Sequence, residues 1–316
     1  MLKLDNVTKI YKVGTFGGKE IHAVKDVSFD IGGREVVSLI GESGSGKSTI
    51  GKMILRLISI SSGEIAFNGM NITSLQTGGL KEYYRHVQGV FQDPFCSYNP
   101  IFKADRVFSI IREEFFPGIT NAEWDDKLEN SLRAVGLNPD HCLHKFPHQL
   151  SGGQLQRFLI ARALLLDIQF LVADEIISML DASTRVDVLN LLAELKSRGL
   201  SILFITHDLS LAHYISERAV ILYRGCVAEM GATESIFDHP LHPYTKMLMA
   251  SVPRLDKKWE EEEVLLSPKP TELSSGCVYY GRCPVADKLL GCDKLTPTLV
   301  EAEPNHFVAC FHYRES

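Results

Sequence analysis

The stretch VVSLIGESGSGKST, Val36 to Thr49, decides the fold. Val36 to Ile40 is a short apolar run rich in β-branched residues, as suits a strand buried on both faces of a parallel sheet. It passes directly into Gly41, Glu42, Ser43, Gly44, Ser45, Gly46, Lys47, Ser48 and Thr49. A glycine, four residues, then Gly-Lys-Ser is the spacing of a phosphate-binding loop: the glycines let backbone N–H groups curl around phosphates, and the following helix points its positive end at them. The spacing predicts Lys47 on the β- and γ-phosphates and the Ser48 hydroxyl on Mg²⁺. The bland alternative, a chance glycine-rich turn, does not explain the strand before it and the helix after it.

Outward along the chain, FLVADE (Phe170 to Glu175) is a second buried strand with two acids at its tip. A carboxylate there is costly unless something cationic meets it. Asp174 is expected in the Mg²⁺ shell and Glu175 as the general base that polarises the attacking water. Either acid alone could be a helix N-cap, but that does not explain both beside a phosphate loop. A third apolar run, SILFI (Ser201 to Ile205), ends at Thr206 and His207. Between these two strands lies a helix: Asp181 or Ser183 can cap it, Val188, Leu191, Leu192 and Leu195 share one face, and Arg198-Gly199 stops it. Strand, crossover helix, strand is the doubly wound α/β pattern, with functional residues at the strand ends.

Composition bounds the rest. The chain has 316 residues, 45% hydrophobic and 23% charged, which is an ordinary globular balance. Its net charge of −6 carries no long basic block, which argues against nucleic acid as the main partner. The opening residues mix Lys3, Asp5 and Lys9 among apolar ones and do not form a signal peptide. The most apolar stretch, Leu155 to Ala173, is broken by Arg157, Arg162 and Asp167 and is too interrupted to span a bilayer. Membrane contact is therefore expected through a partner. Three cysteines (Cys96, Cys142, Cys226) are scattered, whereas Cys277, Cys283, Cys292 and Cys310 crowd near the end and read as metal ligands. His141, Cys142, His144 and His148 are not read as a second metal site.

Leu150 to Gln154 is LSGGQ, followed by Leu155, Gln156 and Arg157. With the phosphate loop upstream and the acid pair downstream, it resembles the signature motif of the ABC ATPase family. The resemblance covers nearly the whole chain. It implies an α/β ABC-type P-loop ATPase with a RecA-like core, an N-terminal antiparallel β portion, an inserted helical lobe over about 92–165, and a small irregular cysteine-rich tail. The ATPase domain is expected over 1–253, a linker over 254–270 and the extension over 271–316. The resemblance further implies that Ser151, Gly152, Gly153 and Gln154 bind the γ-phosphate of ATP held by an opposing subunit. It places Tyr11 on adenine (its alternative is an edge-strand tyrosine), Gln92 on Mg²⁺ and the attacking water, His207 on the γ-phosphate, and Asp181 in the loop that crosses to the other subunit. One departure stands out. The family usually follows Asp-Glu with proline, and here Ile176 and Ile177 follow instead, which removes a local constraint.

Within the family the chain is most similar to the ATPase subunits of dipeptide/oligopeptide importers. FQDPFCSYNP (Phe91 to Pro100), HPLHPYTKMLMASVP (His239 to Pro253), SGCVYYGRCPVADKLLGC (Ser275 to Cys292) and EPNHFVAC (Glu303 to Cys310) carry the likeness, and the pattern leans to the second of two paired ATPases. This implies a heterodimer with a different ATPase subunit, two membrane permease subunits, a solute-binding protein outside, no nucleic acid, and a peripheral place on the cytoplasmic face of the membrane. It also implies a [4Fe–4S] cluster on Cys277, Cys283, Cys292 and Cys310, with Zn²⁺ the rival and free thiols the remaining alternative. An oligosaccharide importer of the same type is the alternative cargo reading; a soluble ABC ATPase acting on nucleic acid or ribosomes fits less well, since neither a second fused cassette nor a coiled-coil insertion is present.

Overall fold

A computed structural model describes residues 1–14, 18–251 and 276–313. In chain order the first half holds β1 (Leu2–Val13), β2 (Lys19–Ile31), β3 (Val36–Ile40), α1 (Lys47–Ile54), β4 (Ser62–Phe67), β5 (Met70–Asn71), α2 (Thr77–His86) and β6 (Val87–Val90). Then come α3 (Arg106–Phe115), α4 (Asn121–Ala134), α5 (Pro139–Cys142), α6 (Gly152–Leu164), β7 (Phe170–Asp174), α7 (Ala182–Ser197) and β8 (Ser201–Thr206). The last part holds α8 (Leu209–Ile215), β9 (Arg218–Tyr223), β10 (Cys226–Ala232), α9 (Thr233–Asp238), α10 (Pro243–Ala250), β11 (Val300–Glu303) and β12 (His306–Val308). The chain divides into two compact units, one of 1–31, 36–73 and 205–316, the other of 32–35 and 74–204.

The first unit holds an antiparallel sheet in the order β2-β1-β4-β5 and a second series of strands in the order β11-β12-β10-β9-β3. Within that series β3 and β9 are parallel, with Val37 opposite Arg218 and Ile40 opposite Ile221. Every residue of β3 is buried, as its unbroken apolar run predicts. β1 slips register between Leu4 and Val7 and again before Ile10, and beyond these irregularities it carries Tyr11 to the surface.

The expected irregular tail gains regular structure at its end. Val300–Glu303 and His306–Val308 form a hairpin around Pro304 and Asn305, and β12 pairs with β10 through Glu229–Val308 and Met230–Phe307. The reason is the free edge of β10, whose unpaired backbone groups are satisfied by an added strand. Electrostatics fixes the same join. Glu229 is wholly buried, and its carboxylate accepts from the Leu241 and His242 amides at 2.8 Å each and faces His306 Nε2 at 2.7 Å. The expected linker, 254–270, lies outside the described residues.

The second unit carries the strand order β8-β7-β6, with β6 parallel to β7. All of β7 is buried. α7 buries Val188, Leu189, Leu191, Leu192 and Leu195, the face expected from its periodicity, and Asp181 caps it. Between 92 and 165 the regular elements are α3 to α6 and two short 3₁₀ turns. α4 starts with a full capping box from Thr120 and Glu123, and Phe108 of α3 packs on Phe158 of α6 with ring centroids 4.7 Å apart.

Candidate functional site

In the first unit, β3 hands the chain to the phosphate loop and α1 takes it away. Gly46 has φ 105° and directly precedes α1; a side chain there would collide with the Ala23 carbonyl, so only glycine fits. No side chain caps α1. Lys47 is buried, and its Nζ donates to the carbonyls of Gly41 at 2.7 Å and Glu42 at 2.9 Å, so the ammonium sits within the curl of the loop. Ser48 stands in the first turn of α1. The loop is braced from elsewhere in the unit. The Gly225 amide donates to the Ser45 carbonyl at 2.8 Å, and the Glu42 amide donates to the Tyr244 hydroxyl at 2.9 Å. Burial pushes the Tyr244 phenol up, so it stays protonated.

Tyr11 and His207 belong to the same unit. Tyr11 is 37% exposed, with the Lys9 ammonium over its ring at 5.1 Å from the centroid. His207 is exposed in the turn between β8 and α8, where the Asp208 carboxylate caps α8 and Thr206 Oγ1 accepts the Asp208 amide.

The second unit holds the acids and the glycine signature. Asp174 ends β7 and is buried. Glu175 follows at φ 51°, a left-handed conformation that costs an ordinary residue about 1 kcal/mol or more. The turn that follows is closed by the Ser178 amide and hydroxyl, which donate to the Glu175 carbonyl at 3.1 and 2.9 Å. Ile176 and Ile177, the residues in place of the usual proline, are buried in this turn. Asp181 accepts from the Thr184 amide and from the hydroxyls of Ser183 and Thr184, and these bonds hold its carboxyl well below the usual carboxylate range. Gln92 is exposed between β6 and the 3₁₀ turn Phe95–Ser97.

At the signature, Ser151 is the N-cap of α6. Its Oγ accepts the Gln154 amide at 3.2 Å, while Gln154 Oε1 accepts the Ser151 amide at 2.9 Å, a reciprocal capping box. Gly152 and Gly153 are thus the first residues of α6. A side chain on Gly153 would press on Thr184 at the start of α7.

The tail cysteines converge. Cys277, Cys283, Cys292 and Cys310 line one cavity with Tyr279 and Phe311. None of the four is in a disulfide, and burial raises the thiols of Cys277 and Cys310 and pushes that of Cys283 up to about 11. The expected metal site gains no support from the arrangement of these side chains. Among the described residues no group of three or more His, Cys, Asp or Glu side chains is arranged to hold a metal ion.

No pattern along the chain points to Tyr244, Tyr223, Tyr279 or Arg282 as neighbours of the loop. Arg282 Nη1 lies 3.1 and 3.0 Å from the two Glu42 carboxylate oxygens, and the two residues are 240 positions apart. No local pattern carries such a pairing.

Comparison with known proteins places this chemistry. The ABC transporter family matches residues 24–178, and the oligopeptide/dipeptide transporter C-terminal region matches 228–289. The chain is 41% identical over 290 residues to a putative peptide import ATP-binding protein of Brucella ovis, covering 90% of each. It is 40% identical over 326 residues to the oligopeptide transport ATP-binding protein AppF of Bacillus subtilis, covering 99% of this chain and 97% of the other. Among solved structures, the dimeric ATP-binding cassette MJ0796 bound to ADP and Pi is similar with a TM-score of 0.66 and 31% identity, over 74% of this chain and 99% of that one. The chain therefore belongs to the ABC transporter family, as an ATP-hydrolysing, ATP-binding subunit of its oligopeptide/dipeptide importers.

Proposed function

We propose that the chain powers peptide uptake as one of two unlike ATPases, each completing the other's nucleotide site and docked peripherally on the cytoplasmic face of two permease subunits fed by a solute-binding protein. The observation that supports this most is the contrast in its two helix starts: a loop built around buried Lys47, and a capped glycine turn at Ser151 that offers N–H groups to a phosphate from elsewhere. In this reading Gly41 to Thr49 hold the phosphates, Lys47 supplies the charge, and Tyr11 stacks on the base. Ser151, Gly152, Gly153 and Gln154 meet the γ-phosphate in the opposing site, and Asp181 orders the loop beside them. Glu175 takes the proton from the attacking water as the general base, while Gln92 and His207 orient that water and the γ-phosphate.

The hydroxyl of Ser48, the amide oxygen of Gln92 and the carboxylate of Asp174 are hard oxygen donors and fit Mg²⁺, which when bound supplies charge stabilisation at the transferring phosphate. The four tail cysteines line one cavity, and four thiolates are the donors that a [4Fe–4S] cluster would take, with a single zinc ion the rival. The cluster's role in this reading is structural, as a staple for a segment too small to bury a core.

One preparation tests these parts together: the complex carrying Glu175→Gln, purified from membranes without oxygen and with ATP. Turnover at the site that Glu175 serves is expected to fall about 10²-fold with ATP retained. A second, different ATPase chain and permease chains should co-purify, with about four irons per copy of this chain. Unchanged turnover sinks the base assignment. A complex with only this ATPase sinks the heterodimer, and an iron-free protein sinks the cluster.

A further inference from the structure

The tail does more than hang from the catalytic body. Arg282 sits on the 3₁₀ turn Tyr280–Arg282, immediately before Cys283, and its guanidinium reaches back to the second residue of the phosphate loop. It lies beside the paired rings of Tyr223 and Tyr279, 5.9 and 5.8 Å from their centroids, with Nη1 also 3.5 Å from the Tyr223 hydroxyl. Tyr279 packs edge-on against Tyr223 at 5.1 Å and against Tyr244 at 5.5 Å, and Tyr244 receives the Glu42 amide. Cys277 and Cys283 pack on this same aromatic group. Both the backbone and the carboxylate of Glu42 are therefore held by residues C-terminal to the catalytic motifs.

We propose that Arg282 is a positioning residue for the phosphate loop: it holds and neutralises Glu42, so that the fold of the cysteine-bearing tail sets how tightly the loop takes nucleotide. This rests on the reading of Gly41 to Thr49 as the nucleotide loop. The physical case is simple. A carboxylate in a loop that receives phosphates opposes them, and a guanidinium on that carboxylate removes the opposition while fixing the side chain's direction. Because Arg282 and Cys283 are adjacent, any change that unfolds the cysteine turn releases the arginine. The pair is partly exposed, with side-chain exposures of 26% and 40%, so its effect is modest and screened by salt.

The test is a double-mutant cycle on the full chain, with MgADP binding measured by calorimetry at low ionic strength. Arg282→Gln is expected to weaken MgADP about three- to fivefold and Arg282→Lys less, while Glu42→Gln, a change within the loop itself, supplies the background in which Arg282→Gln is measured again. The double variant, Glu42→Gln with Arg282→Gln, should bind within about twofold of Glu42→Gln alone, since removing the carboxylate removes the need for the arginine. Adding about 0.5 M salt should erase the Arg282→Gln defect. A defect that Glu42→Gln does not rescue would make Arg282 a general brace of the tail and overturn the proposal, as would no defect at all. Lys47→Ala run beside these separates the two readings. Lost binding there with a normal Arg282→Gln overturns only the tail's role, whereas retained binding overturns the loop assignment beneath it.

Discussion

Two helix starts in this chain look alike in sequence and differ in what they leave open. α1 begins behind Gly46 with no side-chain cap, whereas α6 begins behind Ser151 with both halves of a capping box in place. An uncapped helix start keeps its orphan N–H groups for an incoming anion; a capped one has already used some of them. In the proposed reading the phosphate loop, with its buried lysine, is the stronger anion site, and the signature turn at Ser151 meets a phosphate already held by another loop.

Three substitutions break or sharpen the contrast, the largest effect first. Lys47→Ala removes the buried cation bonded to the Gly41 and Glu42 carbonyls, and nucleotide affinity should drop about 10- to 100-fold in a binding titration. An affinity within twofold of the parent would make the two helix starts equivalent after all. Ser151→Asp acts on the other start. Aspartate caps a helix as well as serine does, so thermal stability should hold to within about 1 kcal/mol, but it places a negative charge where a γ-phosphate is expected. ATPase activity of the assembled complex should fall about tenfold or more while MgADP binding to the isolated chain is unchanged; full activity would show that α6 receives no phosphate.

The smallest effect concerns neither start but the tail that braces one of them. Burial alone would lower the pKa of His306, yet its bond to Glu229 and the charges of Glu229 and Glu303 outweigh burial and raise it. A raised folded-state pKa stabilises below the unfolded histidine value near 6.5 and ceases to do so as pH rises through the folded value. The gap in melting temperature between the parent and His306→Gln should be about 2–4 °C at pH 6 and shrink by pH 9. A gap that widens with pH contradicts the assignment of charge to this join.

What the sequence made legible follows the range of the interactions. β3, β7 and β8 are unbroken apolar runs, and the loop, the acid pair and the signature each lie in a few contiguous residues, so local patterns declare them. α7 was readable from its buried face and from Asp181 as its cap. β11 and β12 were not: they are four and three residues long, carry three glutamate or histidine side chains between them, and become strands only because β10 offers an edge. The Arg282–Glu42 pair and the buried Glu229–His306 pair join residues 240 and 77 positions apart, which no window of sequence displays. The left-handed Glu175 was likewise hidden, since an acid at a strand tip does not announce its φ.

The β11–β12 hairpin has a consequence for solubility. Without it, β10 would end the series as a seven-residue strand with a row of unpaired backbone donors and acceptors, a template on which another chain could grow. With it, the outermost strand is Val300–Glu303, VEAE, short and carrying two glutamates that repel a like neighbour. Residues 300–308 therefore cover an edge on which fibre-like association could otherwise start. A chain cut before Val300 would keep every catalytic motif and still tend to precipitate.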